Sequence, residues 1–161
     1  MLTADSGASF PSGSGLRIAI VASRYNSLYV DGMLESARET LREAGALEPE
    51  VVRVPGAWEI PVAAAALARR LHHPPTAVIC LGLILQGETS HADHIGDAVS
   101  QGLMRLALKT GVPMIHEVLT VSQVEQARVR CLDPQTNRGR EAARTALEMG
   151  RLMESLSAQR S

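Results

Sequence analysis

The sequence predicts an α/β fold, with a four-stranded parallel sheet covered by helices on both faces. Three observations carry that expectation. Short apolar runs alternate along the chain with longer stretches whose apolar residues recur at helical spacing. The central run, Ala77-Val78-Ile79-Cys80-Leu81, has the composition of a strand buried on both sides. A glycine-bearing loop, Gly82 to His91, joins that run to an amphipathic stretch with Ile95, Ala98, Val99, Leu103, Leu106 and Ala107 in helical register.

Taken in order, residues 1–15 are rich in Ser and Gly and read as a flexible arm. Leu16 to Ala22 is the first strand. Leu28 to Ala44 is a helix, with Leu34, Ala37, Leu41 and Ala44 on one face and Gly45 closing it. Val51 to Val54 is a short β-branched strand stopped by Pro55-Gly56. Trp58 to Leu71 reads as a helix that accepts Pro61 only in its first turn. Pro74-Pro75 stops it. Thr76 to Gly82 is the third strand and Ser90 to Thr110 the helix beyond the loop. Gly111 closes that helix, and Pro113 to Leu119 is the fourth strand. Val121 to Arg130 is a short helix opened by Thr120 or Ser122, and Gly139 to Leu156 is the last helix. The domain is set at 16–157 and a tail at 158–161. Right-handed crossovers turn this order into a three-layer sandwich of flavodoxin-like type. Ligands in such sheets sit beyond the carboxyl ends of the strands. The loops expected there are Ser23 to Asn26, Pro55 to Glu59, Leu83 to His91, and His116 to Thr120.

Composition narrows the function. The 161 residues suit one domain. A net charge of −1 offers no basic face to nucleic acid, and no run approaches the length of a membrane span. The first fifteen residues lack the basic start and apolar core of a signal peptide, so the expected compartment is the cytoplasm. Cys80 and Cys131 read as reduced, packed thiols. Phe10, Tyr25, Tyr29 and Trp58 are the whole aromatic set. The core must therefore rest on Ala, Val, Leu and Ile, and assembly into oligomers would add stability.

The chemistry-bearing residues fall in the predicted loops. Tyr25 and Trp58 each follow a strand and offer flat faces to a planar heterocycle, although ordinary packing explains either alone. Glu59 at a helix start is explained by the helix dipole or by ligand hydroxyls seeking an acceptor. Gly87-Glu88-Thr89 reads as a phosphate cradle of backbone N–H groups, or as a helix entry capped by Thr89 or Ser90. His91 is the candidate proton shuttle beside that anion seat. Arg130 is a candidate countercharge or a solvated helix charge. His91 and His94 flank Asp93, yet no third ligand at suitable spacing completes a metal site.

Together, Ser23-Arg24-Tyr25-Asn26, Val54-Pro55-Gly56-Ala57-Trp58-Glu59-Ile60-Pro61, Gly82 to His91, Gly111-Val112-Pro113, and Val118-Leu119-Thr120 followed by Glu125-Gln126-Ala127 resemble the lumazine synthase family. The resemblance runs from about Leu16 to the last helix. It implies joining of 5-amino-6-(D-ribitylamino)uracil to 3,4-dihydroxy-2-butanone 4-phosphate in riboflavin biosynthesis, with no cofactor and no metal. By position it implies that Tyr25, with Asn26 beside it, stacks on the pyrimidine. Ala57, Trp58 and Glu59 would hold the ribityl chain, and the backbone of Leu83, Ile84 and Leu85 would read the uracil edge. Gly87, Glu88, Thr89 and Arg130 would bind phosphate, and His91 would move protons. It also implies a homopentamer with pockets shared between neighbours, or a decamer or sixty-subunit icosahedral shell built from it. The chain departs from the family pattern at Gln86 (often Arg), Ala92 (usually aromatic) and His116 (usually Phe), where an imidazole would still cover the substrate ring, and in the segment Asp133 to Gly139, which keeps Asn137 and Gly139 but lacks a common Gly-Lys pair. A riboflavin synthase of the related pentameric type, a non-catalytic lumazine- or flavin-binding protein and a shell-forming protein are the competing readings.

Overall fold

The computed structural model describes residue 9 and residues 11–159. The elements are β1 (Ile18–Ser23), α1 (Ser27–Glu43), β2 (Glu50–Val54), a 3-10 turn (Ala57–Glu59), α2 (Ile60–Ala68), β3 (Ala77–Leu85), α3 (His91–Thr110), β4 (Met114–Val121), α4 (Val124–Cys131) and α5 (Arg138–Ala158). The four strands form one parallel sheet in the order β2-β1-β3-β4. The chain thus leaves β1 in one direction for β2 and returns past it to β3. The sheet has its switch point between β1 and β3, where a crevice opens at the carboxyl edge.

Each strand feeds two cores through its period of two. Ile18, Ile20 and Ala22 of β1, with Ile79, Leu81 and Leu83 of β3, pack with α1, α4 and α5. Ala19 and Val21, with Val78, Cys80 and Ile84, pack with α2 and α3. Burial on both faces is why β3 reads as an unbroken apolar run: only Leu85, its last residue, is exposed. The sheet also separates the thiols, since Cys80 lies in the α2/α3 core and Cys131 in the α1/α5 core. Both are free and buried, and burial pushes Cys80 up to about 12 and Cys131 up to about 11, which keeps them inert.

Helices α1 and α5 approach so closely that a β-carbon at Gly139 would run into the Met33 carbonyl. Asn137 caps α5 by accepting from the Gly139 N–H at 2.8 Å, while its amide donates to the Cys131 and Gly32 carbonyls. This is the physical reason for Asn137 and Gly139. Glu117 of β4 points into the same face and is gripped through two bonds by Arg138, at 2.9 and 3.1 Å. Burial nonetheless raises the Glu117 pKa, against the pull of Arg138.

Several boundaries differ from expectation. β3 continues through Leu83-Ile84-Leu85, so the loop expected from Leu83 begins only after Leu85; His116 to Leu119, expected both in the fourth strand and in a loop beyond it, lie within β4, which continues through Val121. The ladder explains this: Leu83, Ile84 and Leu85 pair with Leu119, Thr120 and Val121. The helix expected from Trp58 to Leu71 is divided into the 3-10 turn and α2, with Pro61 early in α2 where no backbone donor is needed. α4 begins only at Val124, without a side-chain cap; the Gln126 side chain instead accepts from the Ser122 N–H. α5 runs to Ala158, into the stretch set down as a tail. The expected arm lies mostly outside the described residues. Its final part is held: Arg151 donates to the Ser12 and Ser14 carbonyls at 2.9 and 2.6 Å, and the Gly13 N–H to Ala44.

Candidate active site

A cavity of about 430 Å³ opens at the β1/β3 switch point. Its walls come from four places. The turn after β1 gives Tyr25 and Asn26, and the segment after β2 gives Gly56, Ala57, Trp58 and Glu59. The end of β3 gives Leu83, Ile84 and Leu85. The following loop and the start of α3 give Gly87, Thr89, His91, Ala92 and Ile95. Such a size and lining suit a small organic molecule.

The first wall is fixed by local bonds. Asn26 sits in the left-handed region at φ 58°, and its side-chain amide donates to the Leu83 carbonyl at 2.8 Å. That bond joins the turn to β3 and offsets the backbone cost of the conformation. Tyr25 lies over Gly56: a β-carbon there would come within 2.8 Å of the Tyr25 ring and 3.3 Å of the Glu59 carboxylate. One oxygen of Glu59 accepts from the Gly56 N–H at 2.9 Å. The structural role of Glu59 is therefore real, and its second oxygen has no protein partner among the bonds described. Arg53 braces the wall from behind, pairing with Asp31 at 2.6 Å and donating to the Ser23 carbonyl. Tyr25 and Trp58 remain 68% and 59% exposed, so large aromatic area faces solvent at the cavity mouth.

The second wall is less complete. Ser90 takes the N-cap position of α3 but makes no side-chain cap bond; its hydroxyl meets His94 Nε2 at 3.3 Å. The first N–H groups of α3 thus lack the usual side-chain acceptor at an end that favours an anion. Gln86 donates to Asp93 at 3.2 Å. With Glu88 and Asp93 nearby and no Lys or Arg among the described lining residues, this wall carries no cation of its own.

Most of the residues singled out from the sequence meet in the cavity; three do not. Glu88 is exposed on the loop and does not line it. His116 lies on β4 well before the strand's end, bonded to Ser100 of α3. Burial lowers the His116 pKa, against an opposing backbone hydrogen bond. Arg130 is exposed near the end of α4, a helix that packs into the opposite core, and its guanidinium rests on the Gln126 carbonyl at 3.4 Å. Conversely, Ile95 lines the cavity although it reads only as a helix position, and Ala92, which stands out in the sequence only as a departure from the family pattern, lines it one turn earlier. Arg53 gave no sequence signal at all. Among the described residues no group of three His, Cys, Asp or Glu side chains is placed to hold a metal, and no helix is long and apolar enough to cross a membrane.

A pocket at the switch point of a parallel sheet, with aromatic faces on one side and a helix-start anion seat with a histidine on the other, defines a class of α/β enzymes acting on small molecules. The family model described as 6,7-dimethyl-8-ribityllumazine synthase matches residues 15–154. The chain is 44% identical over 142 residues to the 6,7-dimethyl-8-ribityllumazine synthase of Xanthomonas oryzae pv. oryzae (strain PXO99A), covering 87% of this chain and 91% of that protein. It is 43% identical over 142 residues to the protein of that name from Stenotrophomonas maltophilia (strain K279a), covering 87% of this chain and 90% of the relative. The chain belongs to the 6,7-dimethyl-8-ribityllumazine synthase family, a family of transferases in riboflavin biosynthesis.

Proposed function

We propose that this chain condenses 5-amino-6-(D-ribitylamino)uracil with 3,4-dihydroxy-2-butanone 4-phosphate, giving 6,7-dimethyl-8-ribityllumazine, inorganic phosphate and water. The observation that carries the reading is the pairing, in one cavity, of a Tyr25–Trp58–Glu59 wall with a Gly87–Thr89–His91 wall. The pyrimidine stacks on Tyr25. Its ribityl hydroxyls donate to the free oxygen of Glu59, and its polar edge meets the backbone at Leu83 to Leu85. The ketone phosphate lies at the start of α3, on the N–H groups of the Gly87–Thr89 loop and the first turn.

The pyrimidine amine then attacks the ketone carbon and water leaves, forming the imine. His91 takes the proton from the amine and returns it to the departing hydroxyl, then serves the proton moves that accompany phosphate loss; the ribityl-bearing nitrogen then adds to the remaining carbonyl, and loss of a second water closes the ring. Holding both substrates in contact supplies much of the acceleration, on the order of several kcal/mol. The phosphate needs a cation that the cavity's own chain does not provide. We infer that an adjacent copy supplies Arg130, with His116 from that copy facing the heterocycle. The assembly is then a homopentamer or a shell built from pentamers, acting in the cytoplasm.

The test is an assay with both substrates that follows the lumazine chromophore and phosphate release together. Equal growth of both supports the reading, and absence of both sinks it. The lack of a lining cation favours one other reading, a non-catalytic lumazine- or flavin-binding protein. That protein would bind the product tightly and release no phosphate.

A further inference from the structure

We propose that Ser100 is a positioning residue that locks the His116 ring in its neutral form, with its proton on Nε2, so that an imidazole serves as the flat face position 116 offers to a heterocycle. This rests on the reading that position 116 faces a neighbour's cavity.

The proton count fixes the tautomer. The Ser100 hydroxyl has one proton, and it is given to the Gly96 carbonyl one turn earlier, at 2.8 Å. The same oxygen is 2.8 Å from His116 Nε2. With its proton committed, Ser100 can only accept there, so Nε2 carries the hydrogen. The other ring nitrogen, Nδ1, lies 3.4 Å from the Val118 backbone nitrogen and accepts from its N–H. Both nitrogens are assigned by neutral imidazole. A second proton would have to sit on Nδ1, facing the Val118 N–H head-on.

The surroundings agree. Cys80 is opposite His116 in the β3–β4 register, and its thiol is neutral because burial pushes its pKa to about 12. Glu117 points to the other face of the sheet and is engaged by Arg138. Within the Gly96–Ser100 turn of α3 the one charged residue is Asp97, which is exposed, and Val99 is buried. His116 is exposed in the single chain, and the part of its ring that the protein does cover lowers its readiness to charge.

The lock answers a chemical difficulty. Phenylalanine, which the family resemblance implies at this position, is neutral at every pH. A histidine turns about χ2 and charges in mild acid. A charged ring pressed against a heterocycle must lose its water, which is costly. Two hydrogen bonds fix the ring plane and keep it neutral, so His116 does the work of the missing Phe.

The test uses the intact assembly labelled with 15N-histidine, studied as a sediment by magic-angle-spinning NMR, with His116 signals assigned by their loss in His116→Phe. In the unaltered protein the ring should be neutral, protonated on Nε2, and should titrate below an ordinary histidine. Ser100→Ala should mix the tautomers and raise the titration midpoint, and Ser100→Thr should keep both as they were. In assays below pH 6.5, Ser100→Ala should raise the pyrimidine KM several-fold with kcat held. The same change should have no effect in a His116→Phe background. A ring protonated on Nδ1, an ordinary titration in the unaltered protein, or a tautomer indifferent to Ser100→Ala would overturn the lock. A lock that holds while neither Ser100→Ala nor His116→Ala moves the pyrimidine KM would overturn its role in positioning. Failure of the unaltered protein to form lumazine would remove the reading of the site, a result separable from the NMR outcome.

Discussion

The wall that carries Tyr25, Gly56 and Glu59 and the loop that runs from Gln86 to His91 border the same cavity, but they are held in different ways. The first wall is closed on itself. Asn26 bonds to Leu83, Glu59 bonds to Gly56, Tyr25 lies on Gly56, and Arg53 braces β1 from β2. The second has a helix start without a side-chain cap, a Gln86–Asp93 bond in place of a cation, and Arg130 on the far side of the sheet. One chain can shape a seat for a flat polar ring. It leaves the wall at the start of α3 short of positive charge, and on the proposed reading the difference marks where a second subunit contributes.

Filling the space beside Tyr25 should break the self-contained wall. Gly56→Val would drive a side chain into the Tyr25 ring and the Glu59 carboxylate. We expect kcat/KM for the pyrimidine to fall by about a hundredfold, with up to about 3 kcal/mol of stability lost to overpacking. Steady-state kinetics and thermal melts check both. On the other wall, His91→Ala should lower kcat by about a hundredfold, within the usual range for acid–base groups, with the pyrimidine Kd unchanged. An unchanged kcat would remove His91 from the proton transfers.

Arg130→Ala should weaken the ketone phosphate by at least about tenfold, as loss of a charge-assisted contact worth about 1.5–3 kcal/mol predicts, and spare the pyrimidine. Equal losses for both substrates would erase the contrast between the walls. A smaller effect is expected from Asn26→Ala, about 1–2 kcal/mol in stability with a modest rise in pyrimidine KM, because the hydrogen bond to Leu83 is lost and alanine tolerates the left-handed backbone less well than asparagine. Chemical denaturation measures it.

The smallest effect is on stability against pH. The folded His116 pKa is depressed, so below the ordinary histidine value of 6.5 the unfolded chain binds a proton that the folded chain refuses. Stability should therefore fall as pH drops through 6.5 and level off below the folded pKa. His116→Phe should flatten that part of the curve.

Much of this was legible in the sequence because it is local. The strand–loop–helix order, the Gly56–Glu59 segment and the Gly87–His91 loop follow from spacing and residue type over a few positions. What escaped is set by partners distant in sequence. Leu83 to Leu85 look like loop beside two glycines, and only the ladder to β4 makes them strand. Glu117 and Arg138, Arg53 and Ser23, and Ser100 and His116 are likewise pairs that only the fold creates. The positions of Arg130 and His116 escaped for a further reason. Position in the chain says which loop a residue follows, not which face of the sheet its helix takes or how far back along a strand it lies.

The central claim is that the anion wall is completed across subunits, and complementation tests it most directly. His91→Ala and Arg130→Ala copies, each nearly inactive alone at low ketone phosphate, are unfolded together and reassembled in equal amounts. If His91 and Arg130 come from different chains, random pairing places an intact His91 beside an intact Arg130 at roughly a quarter of the sites, and activity should recover to about that fraction of the unaltered protein. Mixed assemblies no more active than the parents would contradict the account and place both residues' work within one chain.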